Sequence, residues 1–281
     1  MNRLATLFCL ILLCTSFRQS SQLLFDEEEF RSLKNSDFSK GEELTYEASY
    51  GFFTAGKAVI HLDNAVHSLN NRPCYKVTVE GKSIGTFGMV MNIKDTWVSY
   101  IDTASIMPHK FYRDITEGPV ASSPYRLKET TWFDHKKQTA KVEQTKNGKY
   151  SLESFTIPRY AQDIISGYYY LRTIEFDRLR EGDHISMPAF FEDKVYDFKV
   201  KYLGKDQVRS NFGKIDCYVM SPVMPENSLF DGEHSIKFWV TNDENRVPLK
   251  IEAKMFVGAV KVDLVQYKGL KSDIKRSKKK K

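Results

Sequence analysis

Six histidines and a glycine-framed serine are where acid–base, metal or nucleophile chemistry could reside in this 281-residue chain. The histidines are His61, His67, His109, His135, His184 and His234. None stands at zinc-ligand spacing from another His or from a Cys, so no metal site and no cofactor are implied. Gly81-Lys82-Ser83-Ile84-Gly85 spells the G-x-S-x-G nucleophile elbow and follows an apolar strand pattern over Tyr75, Val77 and Val79. An elbow needs a helix straight after its Ser. Gly85, Thr86, Phe87 and Gly88 are poor helix starters, and a further strand pattern comes next. The expectation is a glycine-rich connection between strands, and no residue is assigned as catalytic. There is no P-loop and no G-x-G-x-x-G. Asp and Glu alternate with apolar residues along strands, as on a solvated sheet face, and no glycosidase-type pair stands out from them.

The remaining chemistry is thiol and phenol. Cys74 and Cys217 each stand after a turn and just before a strand Tyr. They are a candidate disulfide, which needs Cα atoms within about 7 Å, with buried free thiols as the alternative. Tyr168, Tyr169 and Tyr170 lie in the one strong helical pattern, where Ile164, Ile165, Tyr168 and Leu171 recur at i, i+1, i+4 and i+7. The predicted helix covers residues 161–175. Aromatics round more than half of its circumference require cover on more than one side. Tyrosine combines an apolar ring with a hydroxyl, which suits the edge of an apolar ligand site. Tyr168 and Tyr169 are therefore candidate ligand-binding residues, with Tyr46 and Tyr202 on strands beneath them. The competing reading is a core helix that links two halves.

Those strands follow from alternation, which sends successive side chains to opposite sheet faces. Leu44, Tyr46, Ala48 and Tyr50, then Ala58, Ile60 and Leu62, form a first hairpin about Gly51. Asn70 and Asn71 mark the next turn, and Asp134 to Lys137 another. Near the C terminus, Ile236, Phe238 and Val240, then Val247, Leu249 and Ile251, then Val260, Val262 and Leu264, make a three-strand meander. About a dozen strands result, more than an open sheet holds without curling. The fold class is mainly β: a large, strongly curved antiparallel sheet or incomplete barrel with one main helix packed against it. It is a single β-rich domain over residues 41–270, with related halves (41–157 and 176–270) as an open alternative.

The run FWVTNDENRVPLKIEAKMFVGAVKVDL, preceded by GKIDCYVMSPV, resembles the C-terminal half of domain of unknown function 3108. GEELTYEASYGFFTAGKAVIHL and DIISGYYYLRT fit the same family, and the likeness runs from about Phe38 to Leu270. The resemblance implies an exported bacterial envelope protein rich in antiparallel β-structure. It brings no catalytic residues to carry over.

Residues 1–16 read as a secretory signal, with Arg3 ahead of an apolar core and small residues before Phe17. Leu13 occupies the place where lipidation of Cys14 needs a small residue, so the expected product is exported, periplasmic or outer-membrane associated, and not a lipoprotein. Residues 17–40 form a polar arm. The net charge of +6 comes entirely from residues 271–281, a predicted disordered tail of seven basic residues and one Asp. The body is balanced at 35 basic against 35 acidic residues, which removes support for a nucleic-acid surface. The tail is the expected contact to an anionic envelope surface. The leading functional expectation is binding or carriage of a lipid-like, apolar ligand. An envelope assembly protein without ligand is the alternative, and a hydrolase of envelope polymers has the weakest support.

Overall fold

The computed structural model describes residues 30–33, 38–223, 234–255 and 258–277. The expected signal at 1–16, most of the arm and the last four lysines lie outside the described residues. Among the described residues, fourteen antiparallel strands form one sheet. They are β1 (Glu43–Tyr50), β2 (Phe53–Leu69), β3 (Arg72–Ser83), β4 (Met91–Asp102), β5 (Pro108–Pro119), β6 (Tyr125–Asp134), β7 (Thr139–Lys146), β8 (Lys149–Thr156), β9 (His184–Phe191), β10 (Lys194–Ser210), β11 (Gly213–Pro222), β12 (Ile236–Thr241), β13 (Pro248–Lys254) and β14 (Ala259–Lys268). Their spatial order is β8-β7-β6-β5-β4-β3-β2-β1-β14-β13-β12-β11-β10-β9. Two meanders are thus joined along β1 and β14, where Glu43 pairs with Lys268 and Tyr50 with Val260. Turn chemistry fixes the hairpins. Asn70 (φ 51°) and Asn71 (φ 58°) both take the left-handed region, the signature of a two-residue type I′ turn.

Two helices interrupt the strands, α1 (Gly85–Val90) and α2 (Ile164–Arg172), with a 3-10 turn at Phe176–Arg178. α2 shows why the sheet must curl. Asp163, its N-cap, accepts from Ser99 Oγ on β4 at 2.6 Å. Arg172, in its last turn, donates to the Asn245 carbonyl between β12 and β13. Just before it, Gln162 bridges to β9, with Gln162 N–H donating to Pro188 O and Phe190 N–H to Gln162 O, both at 2.9 Å. From β4 to β9 is nine strand spacings, about 43 Å on a flat sheet. A nine-residue helix is only about 14 Å long. Only a sheet wrapped around the helix brings these strands to it, so α2 lies on the concave face. The sheet stays open. Edges β8 and β9 share no ladder, although Phe155 and Phe190 approach each other at 5.4 Å between ring centres.

The core under α2 holds Leu62, Val77, Phe111, Phe133, Tyr169 and Phe190. A second cluster gathers Leu44, Tyr46, Ile215, Cys217, Leu249 and Leu264, and a third Phe176, Val200, Tyr202 and Tyr218.

Several expectations are corrected. The main helix is shorter than 161–175, because Asp163 closes a capping box with Ser166 and the preceding Gln162 is engaged by β9. A helix does follow Ser83, despite its glycines. Cys74 and Cys217 are both buried free thiols, on β3 and β11 in separate parts of the sheet, and form no disulfide. Burial pushes their thiols up to about 11 and about 12. Residues 271–277 are not a disordered tail. Ile274 is buried with Ile215, Arg276 Nε donates to Phe212 O at 2.8 Å, and Asn245 Nδ2 donates to Ser272 O at 2.8 Å. Ile274 and these hydrogen bonds together fold the segment back. Among the described residues, no helix is long and apolar enough to cross a membrane.

Candidate functional site

Directly paired residues on neighbouring strands share a face, so register alone maps the concave surface. One row runs Leu62, Val77, Ser99, Phe111, Thr131 and Val142 across β2 to β7, and this row lies under α2. Two rows closer to the β1–β2 turn differ. The first passes from Tyr46 through Ala58, Gly81 and Asp95 to Ile115. The second joins Phe238, Ile251, Val262, Ala48, Gly56 and Ser83. Ala48, Gly56, Ala58 and Gly81 are thus four small residues at paired or next-but-one positions on three adjacent strands. Their apolar neighbours in the row, Phe238, Ile251 and Val262, are only half-buried. A methyl group added at Gly81 would meet no atom within 4 Å. The concave face is thus lined beside the helix by a floor of small residues, with open space above Gly81.

The floor has one polar corner. Asp95 accepts from Thr116 N–H at 3.3 Å. Burial first, and then the neighbouring Glu117 carboxyl, push Asp95 up to about 6. Asp95 thus takes up a proton at a higher pH than a solvated aspartate. The alternation Ile93, Asp95, Trp97 is the signal in the sequence that could place this acid on the inner face.

The structure brings three of the four candidate tyrosines together and leaves the fourth apart. Arg172 and Glu42, each nearly inaccessible to solvent, form a two-pronged ion pair at 2.5 and 2.7 Å. Tyr169 Oη donates to Glu42 at 3.3 Å, Arg172 donates to Tyr168 Oη at 3.4 Å, and Tyr46 Oη donates to the Pro248 carbonyl at 3.0 Å. Phe38 packs edge-on against Tyr169 at 4.7 Å. Burial pushes Tyr168 up to about 12 and the Tyr46 and Tyr169 hydroxyls well above their ordinary value. These phenols are neutral and committed to a clasp that ties α2 to β1 and to the β12–β13 turn. Tyr202 lies elsewhere, against Phe176 and Tyr218. Asp163 is also pushed up, to about 6, because its burial outweighs the hydrogen bonds from Ser99 and from the Ser166 and Ile165 amides.

Two further buried polar groups have no motif in the sequence. Asp102 accepts from Arg72 Nε, from His109 Nε2 and from the Ala104 and Ser105 amides. Arg113 pairs with Glu129 at 2.8 Å on the concave face and stacks on Phe191. Ser83 Oγ accepts from the Ile93 amide at 3.0 Å, an anchor for the start of β4.

The family described as "Protein of unknown function (DUF3108)" matches residues 45–265. No curated protein matches the sequence. Among solved structures, a β-barrel-like protein of domain of unknown function DUF1849 from Brucella abortus is similar at TM-score 0.52 and 8% identity, over 85% of this chain and 99% of that one. A protein of YmcC-like fold from Bacteroides fragilis is more distant, at TM-score 0.34 and 7% identity, over 84% and 99%.

Proposed function

The chain belongs to the DUF3108 family of proteins of unknown function, and from the surface its fold builds we propose that it is an exported envelope protein that binds a lipid-like molecule on the concave face. The observation that carries this is the floor of Ala48, Gly56, Ala58 and Gly81, bordered by half-buried apolar side chains. A site of this shape takes an extended apolar chain along the small residues. The Asp95 carboxyl at its corner accepts one hydrogen bond from a headgroup. The site thus moves from the helix tyrosines to the sheet beside them. Tyr168, Tyr169 and Tyr46 act at one remove, by holding α2 as a fixed wall.

Gly81 supplies the test. Its backbone is not in the left-handed region and its side-chain space is open, so a larger residue is accommodated without strain. Gly81→Phe should fill the floor and weaken binding of a fluorescent fatty acid at least tenfold, with little change in Tm. Lys82→Phe, on the opposite face, should leave binding intact. Equal binding by Gly81→Phe, or none by the intact protein across several chain lengths, rejects the site. The compartment has its own readout: N-terminal sequencing should begin near Phe17, and an intact Met1 in purified native protein contradicts export.

A further inference from the structure

We infer that the end of the sheet bearing the β1–β2 turn docks on an anionic lipid bilayer. Antiparallel topology puts the β1–β2 turn, α1 and the β5–β6 turn at the same end of neighbouring strands. The Val120 amide ties two of them together by donating to the Val90 carbonyl at 3.0 Å. These connections present Phe52 at 103% exposure, Met89 at 75%, Phe53 at 67%, Val90 at 64% and Val120 at 57%, with Tyr50 half-turned to solvent beside them. Single exposed apolar residues are ordinary on a soluble protein, whereas a contiguous set marks an interaction surface. The turns at the other end are of a different kind, with Asn70, Asn71, His135, Lys137, Asp243 and Asn245.

Charge selects the occupant. On the outer face behind these tips, Lys57 pairs in register with Lys82 and Lys82 with Lys94. Like charges directly opposite one another destabilise a sheet. Among the described residues, none of the three makes an ion pair. The row lies four residues behind Phe53, about 13 Å along β2. Aromatic and aliphatic tips that enter the headgroup boundary would bring this row to the anionic headgroups, the combination that holds interfacial proteins on membranes. Residues 271–277 fold back beside Phe212 and Asn245 at the opposite end.

This surface is independent of ligand binding on the concave face, and the two fail separately. The experiment is co-sedimentation of the full chain, lacking only its signal, with phosphatidylglycerol/phosphatidylethanolamine vesicles and with phosphatidylcholine vesicles. The expected result is binding to the anionic vesicles that weakens with salt. Phe52→Ser/Phe53→Ser/Met89→Ser should lower it at least tenfold at every salt concentration. Lys57→Gln/Lys82→Gln/Lys94→Gln should lower it at low salt, by about fivefold per lysine, and abolish the preference for anionic lipid. Both variants should melt cooperatively near the wild-type Tm, which shows that they fold. Vesicle binding unchanged by the first variant overturns the inference. So does absent vesicle binding with a concentration-dependent dimer, seen by sedimentation velocity, that the first variant disperses. That outcome would assign the rim to a second copy of this chain.

Discussion

Arg172→Ala is expected to lower stability by about 3–5 kcal/mol, the cost of stranding one member of a buried ion pair. Four of the bonds that Arg172 makes span the two halves of the sheet. Two go to Glu42 and two to the Asn245 carbonyl, and together they join the helix to both meanders. Removal leaves the Glu42 carboxylate buried beside Tyr169 without the guanidinium that pairs with it. Urea unfolding measures the loss, and the Tm should fall by roughly 10 °C. Glu42→Ala should cost a similar amount. The double variant Glu42→Leu/Arg172→Met should recover much of the loss, because a buried pair exchanged for apolar groups of similar volume is often nearly neutral. Single losses below about 1 kcal/mol would mean that water reaches the pair, and the clasp assignment would fall.

Asp102→Asn is expected to lower stability at pH 7 by about 2–3 kcal/mol and to flatten its acid dependence. Burial pushes the Asp102 carboxyl up, but the bonds from His109, Arg72 and the Ser105 and Ala104 amides together outweigh it and hold the group well below the usual carboxylate range. A carboxyl depressed in the folded state adds stability that is present above its unfolded value near 4 and is lost as pH falls below that. The wild type should therefore lose stability steeply under pH 4, and Asp102→Asn should not show that component. The group also shapes a loop. Ile106 holds φ at 48° while fully buried, a conformation a β-branched residue takes only when its surroundings impose it. Asp102 N–H donates to Met107 O, and the Ile106 amide donates back to the Asp102 carbonyl. Parallel pH profiles for the two proteins would refute the role given to this carboxyl.

The architecture was legible because it rests on period-two alternation and on turn residues. Leu44, Tyr46 and Ala48, or Val260, Val262 and Leu264, can satisfy one buried face only as strands, and Asn70-Asn71 can close only a tight turn. Family resemblance added the expectation of extensive antiparallel sheet. The site was less legible. The four small residues of the floor come from three strands, and single alanines and glycines carry no periodic signal. Only the register, with Ala48 opposite Gly56 and Ala58 opposite Gly81, reveals that they meet. The helix tyrosines were ambiguous for a related reason. A run of three aromatics shows that a helix is covered on several sides, but not whether a ligand or Phe38 and Arg172 provide the cover. Glu42 and Asn245 lie 130 and 73 residues from Arg172, beyond any local pattern.

The seam between β1 and β14 also sets the order in which the chain can assemble. Every other ladder joins consecutive strands, so each meander can grow by short-range hairpin closure. The seam cannot, since Glu43 must wait for Lys268. Loop closure over almost the whole chain is slow and occurs late. Until then β1 is an unsatisfied edge, with Leu44 and Tyr46 open to solvent, and the half-made sheet is prone to pair with other chains. Circular permutation that joins the ends and opens a distant turn would make this pairing local, and refolding should then accelerate while the finished sheet remains the same.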